Sequence, residues 1–202
     1  MSDPEVTVVV LARHGRTALN AAGRLRGHLD PPPDPVGRRQ ATALAGALSA
    51  FHPALVVTSP LLRASETADA IGAECGLTPE VEPRLIDRDY GPQAGERPEE
   101  IVARFGSIAE APGVEPVKLV TTRAMTALED AARRGRPGPV VVVAHDAINR
   151  PLLASFAPTR FSTPEAVPQR TGCFNILYRA PDGWIVTSVD VVPDDKTPNP
   201  PR

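Results

Sequence analysis

The sequence predicts an α/β fold, a single domain built on a mostly parallel sheet with helices packed against it. Three observations predict it. Short runs of β-branched apolar residues recur three times, amphipathic helical patterns separate them, and a turn signal near the C-terminal end joins two more β-rich segments. A run that is apolar without alternation suits a strand buried on both faces of a parallel sheet. Strands that alternate with helices imply crossover connections, and hence helices on the sheet.

The elements follow in order. Residues 6–12, Val6 followed by TVVVLA, predict the first strand. From Val36 to Phe51, the residues Leu44, Ala47, Leu48 and Phe51 recur at i, i+3, i+4 and i+7, the spacing of one helix face. Ala54 to Thr58 predicts the second strand. A helix is expected over Pro60 to Ala73, with Ser59 as its N-cap, Pro60 at its first position and Gly76 as its stop. Gly91 to Pro116 has weak periodicity and several Gly and Pro, which predicts a short helix and loops forming a small cap over the sheet edge. Val117 to Ala132 is a further helix, with Val117, Val120, Ala124, Leu128 and Ala131 on one face. Val140 to Ala144 is the third strand. Phe174 to Tyr178 and Trp184 to Val192 flank Pro181-Asp182-Gly183 and predict an antiparallel hairpin. Residues 1–192 make up the expected domain. The last ten residues, 193–202, are polar and Pro-rich and predict a disordered tail.

Composition narrows the function classes. Of 202 residues, 42% are hydrophobic and 23% charged, as in an ordinary globular domain. The net charge of -2 provides no global basic field for nucleic acid or an anionic membrane, and 4% aromatics are too few for a base-stacking surface. No apolar run reaches the roughly 20 residues that span a bilayer. MSDPEV has neither a basic n-region nor an apolar h-region, so the expected location is cytoplasmic. Cys75 and Cys173 lie outside any CxxC pattern and are expected to be buried thiols in a reducing compartment.

In open α/β sheets the ligand sits beyond the carboxyl ends of the strands. Past the first strand come Arg13, His14, Gly15 and Arg16; past the second come Thr58 and Ser59, then Arg63; past the third come His145 and Asp146. Two histidines and several arginines thus converge on one edge. Arginine suits phosphate because its planar fork donates to two oxygens and stays charged. Histidine is a competent nucleophile toward phosphorus. An acid must protonate the leaving oxygen, and RLIDRDYG offers Asp87 and Asp89. A metal site at His14 and His145 is disfavoured by the absence of HxH or HExxH spacing. His28 reads as a loop residue or a satisfied core side chain, His52 as a surface or capping residue, and Arg38, Arg39, Arg133 and Arg134 as solvated helix faces.

Four segments carry a family resemblance: LARHGRTALN, GRLRGHLDPPPDPVGRRQA, TSPLLRASETA and VVVVAHDAINRPLL. In that order and spacing they resemble the signature of the histidine phosphatase superfamily, which includes the cofactor-dependent phosphoglycerate mutases. The resemblance implies a phosphoglycerate mutase-like, three-layer sandwich. It implies a metal-independent phosphomonoesterase without cofactor, acting on a small phosphorylated metabolite through a phosphohistidine. His14 would be the nucleophile, Asp87 the proton donor with Asp89 its competitor, and Arg13, Arg63 and His145 would bind the phosphoryl group. Asn20 and Thr17 would contact the phosphate. Gly113, Glu115 and Arg123 resemble a degraded Gly-Glu-Ser and following arginine and are assigned no chemistry. Three departures stand out: Asp146 where the family has glycine, Pro33 where it has leucine, and aspartate rather than glutamate at position 87. A carboxylate at position 146 repels a phosphate unless it points away or pairs with an arginine. The rival readings are a mutase, disfavoured by the short chain and small cap, and an interaction module, disfavoured by the intact Arg13, His14, Arg63 and His145.

Overall fold

The computed structural model describes residues 6–135 and 138–193. A six-stranded sheet runs in the order β3-β2-β4-β1-β5-β6. Its strands are β1 (Thr7–Arg13), β2 (Leu55–Thr58), β3 (Glu80–Val81), β4 (Val140–Ala144), β5 (Phe174–Ala180) and β6 (Gly183–Val191). Pairs β1–β4, β2–β4 and β2–β3 are parallel; β1–β5 and β5–β6 are antiparallel. The helices among the described residues are α1 (Ala18–Ala21), α2 (Pro35–Ser49), α3 (Leu62–Cys75), α4 (Pro98–Phe105), α5 (Val117–Arg134) and α6 (Asp146–Phe156).

The apolar runs form the buried centre for the reason that predicted them. Successive side chains of a strand point to opposite faces, so an unbroken run feeds two cores. Val9, Leu11, Val140 and Val142 pack with Val120, Ala124 and Leu128 of α5 and Ile148 and Leu152 of α6. Val10, Ala12, Val141 and Val143 pack with Leu44 and Leu48 of α2 and Ala64, Ala68 and Ile71 of α3. Helices therefore cover both faces, and the three-layer arrangement holds. The hairpin turns where Pro181-Asp182-Gly183 predicted it.

Three parts of the expectation change. The α3 helix starts at Leu62 with Leu61 as N-cap, and no side chain of its own caps it. Ser59 lies two residues before the N-cap, where its hydroxyl accepts the Leu61 N–H at 3.4 Å and stands 2.7 Å from Nε2 of His145. The cap comes instead from Asp30, whose Oδ1 accepts the Leu62 N–H at 2.7 Å. Gly76 does end α3, in the left-handed conformation at φ 69°. Helix α6 carries Pro151 in its interior, and that residue hides its pattern from a sequence reading. Strand β3 has only two residues, both exposed, too few to show periodicity. Cys173 is buried but Cys75 only half-buried, and both are free thiols.

The segment from Gly91 to Pro116 contains one short helix, α4, among turns. Its Ile101 and Ala111 make a small cluster with Leu25 and Tyr90, apart from the two main cores. The tail expected from residue 193 lies, beyond Pro193, outside the described residues. No described helix is long and apolar enough to cross a membrane.

Candidate active site

Strand register assembles the site. Arg13 pairs with Ala144 across β1 and β4, and Thr58 with Val143 across β2 and β4, so the three strands end at one level. The residues just beyond are His14, His145 and Ser59, and all three are completely buried. The His14 N–H donates to the Ala144 carbonyl at 3.1 Å, which brings the two imidazoles side by side with centroids 5.1 Å apart.

The loop after β1 is held against α2. A Cβ on Gly15 would stand 2.3 Å from the Gly37 carbonyl oxygen, and one on Gly37 would stand 2.0 Å from that of Arg16. Only glycine permits this approach. Gln40 then accepts the Arg16 N–H at 2.8 Å, and Thr67 of α3 accepts that of Gly15 at 3.1 Å. The second and third sequence motifs thus hold the first in place.

The Gly15 carbonyl lies 2.7 Å from Nδ1 of His14. A carbonyl only accepts, so the proton sits on Nδ1 and the Nε2 lone pair is free. Nε2 is buried with no hydrogen-bond partner. Burial, and then the charges of Arg63 and Arg13, push the His14 pKa well below its ordinary value, which keeps the ring neutral. Burial and Arg63 do the same to His145. The Ser59 hydroxyl lies 2.7 Å from Nε2 of His145, while Nδ1 of that ring has no hydrogen-bond partner and faces Oδ2 of Asp87 at 3.8 Å.

Arg63, fully buried, donates through Nη1 to the Leu29 carbonyl at 2.8 Å and through Nη2 to that of Gly27 at 2.9 Å. Nη2 also reaches Oδ2 of Asp87 at 2.9 Å. Arg13 donates to the Gln169 carbonyl. The Nε atoms of Arg13 and Arg63 are buried without partners.

Asp87 is completely buried between Arg63 and the Arg88 N–H, which meets Oδ1 at 2.9 Å. Burial raises its pKa above the ordinary carboxylate value, and the nearby Arg63 and Arg26 only partly oppose the shift. Asp89 is 46% exposed, capping the Gly91 N–H at 2.8 Å and facing His28 at 3.8 Å. The structure therefore brings Asp87, and not Asp89, to His145.

Thr17 and Asn20 bind each other. Thr17 caps α1, accepting the Asn20 N–H at 3.2 Å, while Oδ1 of Asn20 accepts the Thr17 hydroxyl at 2.9 Å. Arg16 turns to Oδ2 of Asp34 at 2.8 Å.

The sequence reading missed Arg26. It is 8% exposed, and its Nη2 lies 2.5 Å from Oδ1 of Asp146, with Nε buried and unpartnered. Arg13 approaches the same oxygen at 3.5 Å. The carboxylate at the family's glycine position is therefore paired with two arginines. Burial alone would raise the Asp146 pKa, but these arginines outweigh it and hold the carboxyl well below the usual range. The signal in the sequence was the departure at position 146, a new negative charge that calls for a cation nearby. No group of three or more His, Cys, Asp or Glu among the described residues is arranged to hold a metal.

Comparison with known proteins decides the family. The histidine phosphatase superfamily (branch 1) matches residues 9–191. The chain belongs to the histidine phosphatase superfamily. It is 33% identical over 199 residues to a metal-independent phosphoserine phosphatase of Arabidopsis thaliana, covering 92% of this chain and 82% of that one. Phosphoserine phosphatase 1 of Hydrogenobacter thermophilus is 33% identical over 147 residues, 68% of this chain and 70% of its own length. Among solved structures, the mycobacterial glucosyl-3-phosphoglycerate phosphatase in complex with VO3 superimposes with a TM-score of 0.79 at 27% identity, covering 92% of this chain and 99% of that one. Within this histidine phosphatase, the four motifs are thus the parts that build and brace one buried cluster of histidines and arginines.

Proposed function

We propose that this histidine phosphatase hydrolyses the phosphomonoester of a small metabolite through a phosphohistidine on His14. One observation carries the reading: the free lone pair on the buried Nε2 of His14, beside the guanidinium groups of Arg13, Arg26 and Arg63. Named relatives act on phosphoserine and on glucosyl-3-phosphoglycerate. In both, the phosphate sits on a small carbon skeleton, and that is the substrate class proposed here.

Nε2 of His14 attacks phosphorus in line with the leaving oxygen. As the N–P bond forms and the P–O bond breaks, Asp87 gives its proton to the departing alkoxide. Water then attacks the phosphohistidine, Asp87 takes back a proton, and the N–P bond breaks to release inorganic phosphate. Arg13, Arg63 and His145 stabilise the equatorial oxygens, where charge is concentrated in the transition state. Thr17 and Asn20 contribute from the same loop, Asn20 through the amide nitrogen that its cap leaves unused.

Rapid quench with labelled substrate tests this. Acid-labile, base-stable phosphate should appear on the protein and be absent from His14→Ala. Label retained by His14→Ala excludes His14 as the nucleophile. Release of phosphate to water, without transfer to a second hydroxyl, separates hydrolysis from mutase chemistry.

A further inference from the structure

Asp87 sits on a segment that has little secondary structure of its own. After β3 the chain makes one short 3-10 turn, Pro83–Leu85, and runs on through Asp87 to Tyr90 without pairing to a strand. The carbonyls of Arg84, Ile86 and Asp87 all point to a single side chain, Arg123 of α5. Its Nη1 donates to Arg84 at 2.7 Å and to Ile86 at 2.5 Å, and its Nη2 donates to Asp87 at 3.0 Å. Glu115 grips the same guanidinium from the other side, with Oε1 on Nε and Oε2 on Nη2, each at 2.9 Å.

Glu115 is tied to the segment as well. Its N–H donates to the Asp89 carbonyl at 2.8 Å, its Oε2 accepts the Asp89 N–H at 3.2 Å, and its carbonyl accepts Nε of Arg88 at 2.8 Å. Arg123 and Glu115 therefore engage the carbonyls of Arg84, Ile86, Asp87 and Asp89 and the Asp89 N–H, and Nε2 of His28 lies 3.0 Å from the Asp87 carbonyl as well. Arg123 rests on a firm base, since its neighbours Val120 and Ala124 on α5 are completely buried in the main core.

We propose that Arg123, clamped by Glu115, is the positioning residue for the Asp87 carboxyl. The role is geometric. Glu115 balances the charge of Arg123, and the charges that act most strongly on Asp87 are those of Arg63, Arg26 and Asp146. A general acid works only within about 2.6–3.2 Å of the atom it protonates, so sub-ångström control of this backbone sets its efficiency. Lysine cannot substitute, because one ammonium with three donors on a flexible stem cannot span three carbonyls and a carboxylate. The proposal rests on Asp87 being the proton donor.

The test compares an alkyl phosphate, which needs a proton on its leaving oxygen, with p-nitrophenyl phosphate, which does not. Asp87→Asn serves as the reference. In Arg123→Lys, kcat/KM for the alkyl phosphate should fall by about 100-fold, roughly 2.7 kcal/mol of barrier. The aryl phosphate should stay within about threefold and inhibition by inorganic phosphate should be unchanged. Glu115→Gln, which keeps one acceptor and loses the other, should show the same split at about tenfold, and it serves if Arg123→Lys does not fold. Equal losses on both substrates would mean a merely structural role and overturn the inference. Unchanged alkyl turnover would also overturn it while leaving the Asp87 assignment standing. If Asp87→Asn itself shows no split, the proton-donor assignment falls and the positioning role falls with it.

Discussion

The carbonyl of Gly15 decides which nitrogen of His14 keeps a free lone pair, because it claims the proton of Nδ1 and leaves Nε2 bare. That contact depends on a residue choice 22 positions away in another element, since Gly15 and Gly37 tolerate no side chain. The same scale explains Asp146. The carboxylate is only 22% exposed and holds Arg26 and Arg13. Replacing it by asparagine removes a negative charge beside the pocket and leaves Arg26 without a counter-ion. Asp146→Asn should keep kcat/KM within about tenfold, roughly 1.4 kcal/mol, while inorganic phosphate inhibits more strongly. A near-total loss of turnover would make Asp146 part of the chemistry.

Among the elements, the entry of α3 shows how a short motif can be misassigned from spacing alone. Ser-Pro before an apolar run reads as N-cap and first position, yet the structure gives Ser59 to His145 and caps the helix from Asp30. The α3 terminus, which carries Arg63, is therefore fastened to the loop whose Gly27 and Leu29 carbonyls Arg63 also binds. Asp30→Ala should cost about 1 kcal/mol of stability, the usual worth of such a cap, measurable as a lower urea midpoint. Ser59→Ala should leave the midpoint less affected and lower activity instead. The reverse order would restore Ser59 as the cap.

For the whole molecule, burying two imidazoles beside arginines has a pH signature. Burial first, and the neighbouring guanidinium charges next, hold both His14 and His145 well below their ordinary value of 6.5. Below that pH the unfolded chain takes up protons that the folded chain refuses. Their contribution to stability is thus complete above about pH 6.5 and is lost as the pH falls. Asp87 acts oppositely: its raised pKa contributes most below its ordinary value of 3.8 and is lost as pH rises through the folded value. Asp146, with a depressed pKa, loses its contribution only in strong acid. Between pH 7.5 and about pH 5 the histidines set the slope, so Tm should fall on acidification. His145→Ala should flatten the curve. A Tm independent of pH over that range would contradict the burial of neutral rings.

Much of this histidine phosphatase was legible in its sequence. Local chemistry determined the three buried strands, the helices α2 and α5, the C-terminal hairpin and the motif residues Arg13, His14, Arg63 and His145. Apolar period and turn residues act over a few positions, so a linear reading captures them. Only the tertiary structure distinguished the surroundings of Asp87 and Asp89, because the two lie two residues apart and differ in burial, which spacing does not record. It alone paired Asp146 with Arg26, 120 residues away. It also turned Glu115 and Arg123, residues without an assigned role, into the clamp on the Asp87 backbone. These contacts arise from packing between distant segments, where a charge or a carbonyl is satisfied by whatever the fold brings beside it.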